Sequence, residues 1–180
     1  GGAFGSGVAS LATGALGSDT KGSKSTAIGH STLATQNFTS ATDAFNTAVG
    51  YSAGTSITTG IQHTIIGSLA GDALTTGEKN TVLGYQALTT DTTGDRTVAI
   101  GHSALYSQNI TTGAVSYNTA VGFETGYGIT TGDQNTLVGY QAGDALTTGN
   151  KNAVLGYNAL GGGTTYDGNT AIGYEALKVA

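Results

Sequence analysis

The chain has 180 residues, among them 31 Gly and no Pro, Cys, Met or Trp, and only 9% are charged. A net charge of −5 with six scattered cations argues against a nucleic-acid interface. No apolar run approaches the length of a membrane-spanning helix, and without Cys there is neither a disulfide framework nor a thiolate metal site.

Residues 1–24 fit no pattern and read as a degenerate N-terminal coil or a cap, and the opening Gly1-Gly2 leads us to expect a piece of a longer protein. From Ser25 to Ala180 a repeat takes over. We align on the Gly that follows an apolar pair. Gly29, Gly50, Gly67, Gly84, Gly101, Gly122, Gly139, Gly156 and Gly173 are then spaced 21, 17, 17 and 17 residues, and again 21, 17, 17 and 17. A 17-residue unit is thus nested in a 72-residue block, giving blocks 29–100 and 101–172 and a partial coil at 173–180. "GDALTTGEKNTVLGYQAL" from Gly71 differs from "GDALTTGNKNAVLGYNAL" from Gly143 at three positions, which points to tandem duplication.

Each unit carries two short β-prone segments, such as Thr47-Ala48-Val49 and Ile57-Thr58-Thr59, separated by Gly-containing turns. Neither is long enough for a helix, and a helical repeat would need about 34 residues. Seventeen residues suit one turn of a coil, so the expected fold is all-β. It is a parallel β-solenoid or β-roll of about nine coils, stacked about 4.8 Å apart into a rod of roughly 40 Å.

Stacking lines up like residues. Asn46, Asn80, Asn118, Asn135, Asn152 and Asn169 are expected to form an amide ladder, with His63 standing in at one rung. Tyr51, Tyr85, Tyr140, Tyr157 and Tyr174 are expected to form an aromatic column whose gaps are filled by His30, Ser68, His102 and Phe123. The first segment is apolar on both faces: Val49, Leu83 and Val138 point one way, and Ala48, Val82 and Leu137 the other. A strand apolar on both faces is buried on both, yet a thin coil has one interior. Several chains packed side by side, most simply a closed cyclic oligomer, supply the second cover.

Candidate chemistry is sparse. His30 and His102 occupy equivalent places and read as members of the aromatic column rather than as metal ligands. Asp72 and Asp144, in Gly-Asp-Ala turns, read as turn formers bonding their own backbone, because the calcium-binding nonapeptide is missing. The acids are spread over many coils with no converging pair of the glycosidase kind. The recurrent Thr-Thr-Gly reads as strand-forming Thr rather than an ice-binding array, since adjacent Thr residues face opposite ways. We therefore expect no enzyme, no cofactor and no metal.

The informative irregularity is the four-residue insertion in "LATQNFTSATDAFN" (33–46) and "LYSQNITTGAVSYN" (105–118). Insertions in solenoids form surface loops, often on a binding face. Phe38 and Phe45, matched by Ile110 and Tyr117, together with Tyr106, are candidate receptor contacts. They serve equally as a cover for an intersubunit seam or for their own loops.

The phrases "STAIGH", "NTAVGY", "TVAIGH" and "NTAIGY" resemble the repeats in the heads of trimeric autotransporter adhesins. "NTAVGYSAG", "NTLVGYQAG" and "NTVLGYQAL" more closely resemble repeats of bacteriophage tail-fibre proteins. The resemblance covers about 25–180. It implies a left-handed, homotrimeric parallel β-roll and a virion fibre segment that supports host attachment. Its partners would be copies of itself, other fibre or virion proteins, and a host glycan or protein. The alternative implied is an adhesin head on a bacterial surface.

Overall fold

In a computed structural model, describing residues 9–111 and 115–178, the chain is a parallel β-solenoid with no helix. Its strands in chain order are β1 (Ala9–Leu11), β2 (Gly22–Ser23), β3 (Thr26–Ile28), β4 (Thr42–Asp43), β5 (Thr47–Val49), β6 (Thr64–Ile66), β7 (Thr81–Leu83), β8 (Val98–Ile100), β9 (Thr119–Val121), β10 (Thr136–Val138), β11 (Ala153–Leu155) and β12 (Thr170–Ile172). Ten of them stack in the order β1-β3-β5-β6-β7-β8-β9-β10-β11-β12, while β2 and β4 form a separate small pair. The register repeats every coil: Ala48 pairs with Ile65, Ile65 with Val82, and Val82 with Ala99. Ten stacked strands make nine turns.

Of the two readings of residues 1–24, a degenerate coil or a cap, the described part takes the first: Ser10 pairs with Ala27, so 9–25 is a 17-residue coil of the stack. It escaped the alignment because Ala12, at φ 142°, stands where later coils carry Gly. The second β-prone segment is corrected. The Ile-Thr-Thr stretch is a bend, closed by Ile57 N–H donating to the Gly54 carbonyl and stacked through Thr58 N–H on the Thr75 carbonyl. In each Thr pair the first hydroxyl is spent on the next coil, as in Thr75 Oγ1 donating to the Thr92 carbonyl at 2.8 Å. The second Thr is exposed at Thr59, Thr76 and Thr148, whereas Thr93 is half-buried and donates to the Ile110 carbonyl at 2.6 Å.

The core explains the 72-residue block. In every coil a corner residue in left-handed backbone conformation faces a residue three positions on. Gly54, Gly71, Gly126 and Gly143 face Ile57, Leu74, Ile129 and Leu146. Leu33, Leu88, Leu105 and Leu160 face Gln36, Asp91, Gln108 and Gly163. Where the facing residue is a large aliphatic, the corner is Gly, and a Cβ on Gly54 would press on Ile57 and Ile65. Where the facing residue is polar or Gly, the corner Leu fills the interior, fully buried. Leu88 accepts φ 52°, a conformation costing about 1–2 kcal/mol for a residue with a Cβ, in order to do so. Two coils of one kind alternate with two of the other, so the duplicated unit is four coils.

Candidate functional site

Around each β5-type strand the side chains alternate strictly. Ala44, Asn46 and Ala48 are buried, while Phe45, Thr47, Val49 and Tyr51 face outward, exposed or half-buried. The inward row, Ala48, Ile65, Val82, Ala99, Ala120 and Leu137, is fully buried. The outward aliphatic row is not: Leu83 is 43% and Leu155 51% exposed, with Ile28, Ile66 and Ile172 also open to solvent. Beside it runs the aromatic column. Tyr85, His102, Phe123, Tyr140, Tyr157 and Tyr174 stack in unbroken succession with centroids 5.0–5.3 Å apart. Below them His30 stacks on Tyr51 at 5.6 Å. Such spacings are those of attractive offset stacking. His30 and His102 are thus column members, and Ser68 fills nothing, leaving a break.

Two adjoining rows therefore form one apolar strip along the described coils, its ring row starting at His30 and interrupted at Ser68. A contiguous exposed apolar surface of this extent marks an interaction site. No family model, no curated protein and no solved structure matches this chain. The site is therefore interpreted from its own geometry.

The Asn rung is buried and doubly used. Asn118 Oδ1 accepts the Asn135 backbone N–H at 2.8 Å, and Asn135 Oδ1 accepts that of Asn152 at 3.0 Å. Meanwhile Asn118 Nδ2 and Asn135 Nδ2 donate to the Gly132 and Gly149 carbonyls. Asn169 ends the ladder on Asn152. His63 replaces Asn at one rung: its Nδ1 accepts the Asn80 N–H at 3.2 Å, while its Nε2, toward the Gly77 carbonyl, makes no well-formed hydrogen bond. Burial lowers its pKa to about 4, against smaller opposing contributions from the Gly77 carbonyl, Asp95 and Glu78.

In the first insertion Thr39, Ser40 and Ala41 are exposed, and part of the second, 112–114, lies outside the described residues. Phe38 and Ile110 are buried, which removes them as receptor contacts. A polar network unrecognised in the sequence holds the backbone of Ile110. Asp91 accepts Gln108 Nε2 at 2.5 Å, Gly94 N–H at 3.0 Å and Ile110 N–H at 3.2 Å, and Gln108 Oε1 accepts Asn118 Nδ2 at 2.8 Å. Seventy-two residues earlier, Asp19, Gln36 and Asn46 repeat the chain, with Gln36 Nε2 donating to Asp19 at 2.5 Å and Asn46 Nδ2 to Gln36 Oε1 at 2.8 Å. The available signal was Asp and Gln breaking an Ile/Leu column at the same phase of both blocks. Burial pushes the Asp91 carboxyl up, opposed first by the Gln108 hydrogen bond. Asp91→Asn is expected to cost about 1–3 kcal/mol. Its amide would face the Gln108 amide donor, and flipping Gln108 would turn its donor on Asn118. Thermal denaturation checks this, and an unchanged melting temperature refutes the directional network.

Of the remaining loop candidates, Phe45 and Tyr117 are exposed at 49% and 53% and lie on the border of the apolar strip, with Lys24 Nζ 5.1 Å from the Phe45 ring centre. Tyr106 is half-buried, stacked on Tyr127 at 4.9 Å. Asp72 accepts a hydrogen bond from Thr89 Oγ1; Asp144, whose next coil offers Gly161 instead, keeps a shielded Oδ1 without a partner, and burial raises its pKa. Among the described residues no three His, Asp or Glu side chains converge to hold a metal ion.

Proposed function

We propose that this chain is a non-enzymatic rod segment of a homotrimeric, left-handed fibre, on a phage tail or a comparable virion appendage, where it supports host attachment. The carrying observation is the strip of outward aliphatics that runs along the stacked strands, flanked by rings stacked from His30 to Tyr51 and from Tyr85 to Tyr174. Three copies with parallel axes would bury that strip around the assembly axis and double the cover on each strand. The mechanism is mechanical. Buried amide ladders tie every coil to the next, and two-sided burial stiffens the shaft. Phe45, Tyr106 and Tyr117 are the aromatic groups of the long coils that remain at the surface for a host glycan or protein. The resemblance of "NTAVGYSAG" and "NTLVGYQAG" to phage fibre repeats favours the virion over a bacterial adhesin head.

Light scattering is expected to give three times 17.7 kDa, and Leu83→Lys, in the middle of the strip, to yield monomers that keep the β-rich circular dichroism spectrum. A monomeric wild-type chain at micromolar concentration overturns the reading.

A further inference from the structure

The aromatic column carries one residue that is not a ring. Leu69 N–H bonds the Tyr51 carbonyl and Gln86 N–H that of Ser68, so the backbone register sets Ser68 in the column directly between Tyr51 and Tyr85. Those two rings are therefore two coil steps apart, about 10 Å. Every other described step from His30 to Tyr174 is ring on ring at 5.0–5.6 Å. A slot of two steps between rings takes one more planar ring, about 5 Å from each neighbour, and is too narrow for two.

The walls of the slot are accessible. Tyr51 and Tyr85 are exposed at 56% and 46%, each with a ring on one face only, where Tyr140 with rings on both faces is exposed at 41%. Tyr85 lies tilted 36° to His102, its one stacking partner, whereas the other neighbouring pairs of the column lie within 19°. A guest ring would hold Tyr85 on its second face. Ser68 itself is half-buried, and its hydroxyl bonds no described residue. The slot thus offers two aromatic faces and, at its base, a group that both donates and accepts. We propose that it is a binding site for a single planar aromatic ring with a polar edge, of the phenol or indole kind, which intercalates between Tyr51 and Tyr85 and bonds the Ser68 hydroxyl. The ligand completes the column in the arrangement that the column's own members adopt. The second block has no such site, because the position 72 residues on is Tyr140. The slot is built from one chain alone and does not depend on the assembly reading.

The test is an NMR titration of the full chain with p-cresol and, in a second arm, with N-acetyltyrosine amide. The first probe stands for a free small molecule, the second for a side chain presented by a partner. The ring signals of Tyr51 and Tyr85 are expected to shift saturably with p-cresol, while those of Tyr140 and Tyr157 stay in place. Ser68→Tyr, which supplies the ring from within the chain, is expected to abolish the response and to raise the melting temperature, which shows that the variant folds. A response to the amide as well assigns the ring of a partner's side chain as a source, and a response to p-cresol alone assigns a small molecule. The absence of a saturable shift, equal shifts at Tyr140, an equal response to the puckered ring of cyclohexanol, or a response that survives in Ser68→Tyr overturns the slot. None of these outcomes bears on the assembly reading, which the oligomeric state decides.

Discussion

Gly84→Ala is expected to destabilise the rod by about 3 kcal/mol or more, through two additive causes. Gly84 has φ 138°, a conformation costing roughly 1–3 kcal/mol for a residue with a side chain. A Cβ there would also fall inside the van der Waals shell of the Gly101 carbonyl oxygen of the next coil. That oxygen belongs to a hydrogen-bonded stack with neighbours on both sides, so relieving the clash would strain the contacts of Gly84's coil with the next. Gly173 separates the causes: it has φ 124°, but nothing lies within 4 Å of its would-be Cβ. Gly173→Ala is therefore expected to cost the conformational part alone. Equal losses in the two variants, measured by thermal denaturation, would show that close coil stacking does not dictate the glycine.

His63→Asn is expected to stabilise the chain and to remove an acid-sensitive step. The folded pKa of about 4 lies below the ordinary 6.5. Between these values the unfolded chain binds the proton and the folded chain does not, so stability rises with pH in this window. The contribution of His63 is complete above about pH 6.5 and declines as pH falls toward 4, by roughly 3 kcal/mol per chain at about 1.4 kcal/mol per pKa unit. Protonation would place an N–H against the Asn80 N–H that now bonds Nδ1. An Asn at this rung is expected to donate to the Gly77 carbonyl as Asn80 does to that of Gly94. Subtracting the two stability-versus-pH curves isolates the histidine from the carboxylates. A difference that does not grow below pH 6.5 would refute the buried neutral imidazole.

The Asn rungs, the Tyr column and the coil spacing were legible because a solenoid stacks each residue on its homologue one period on. Position in the repeat then becomes position in space. The two-faced apolarity of Thr-Ala-Val-Gly was legible for the same reason, since side chains alternate along a strand. Phe38 and Ile110 were misplaced because an insertion breaks the period. Ile110 N–H bonds Asp91, which Gln108 also bonds, and no local pattern pairs these residues. The first coil was hidden by a single Ala at a glycine corner.

By itself the sequence determined an all-β chain, parallel stacking in 17- and 21-residue steps and a strand with two apolar faces, because these depend only on period and alternation. Only the tertiary structure decided which apolar face is interior and which lies open, and why four coils make a block. It also showed that the aromatic column is broken at Ser68. Those depend on volume and direction: Leu at one corner replaces Ile at another, carboxylate meets amide across a coil, and rings either touch or leave a gap. Such complementarity exists between residues brought together by the stack and is not written in the spacing of either alone.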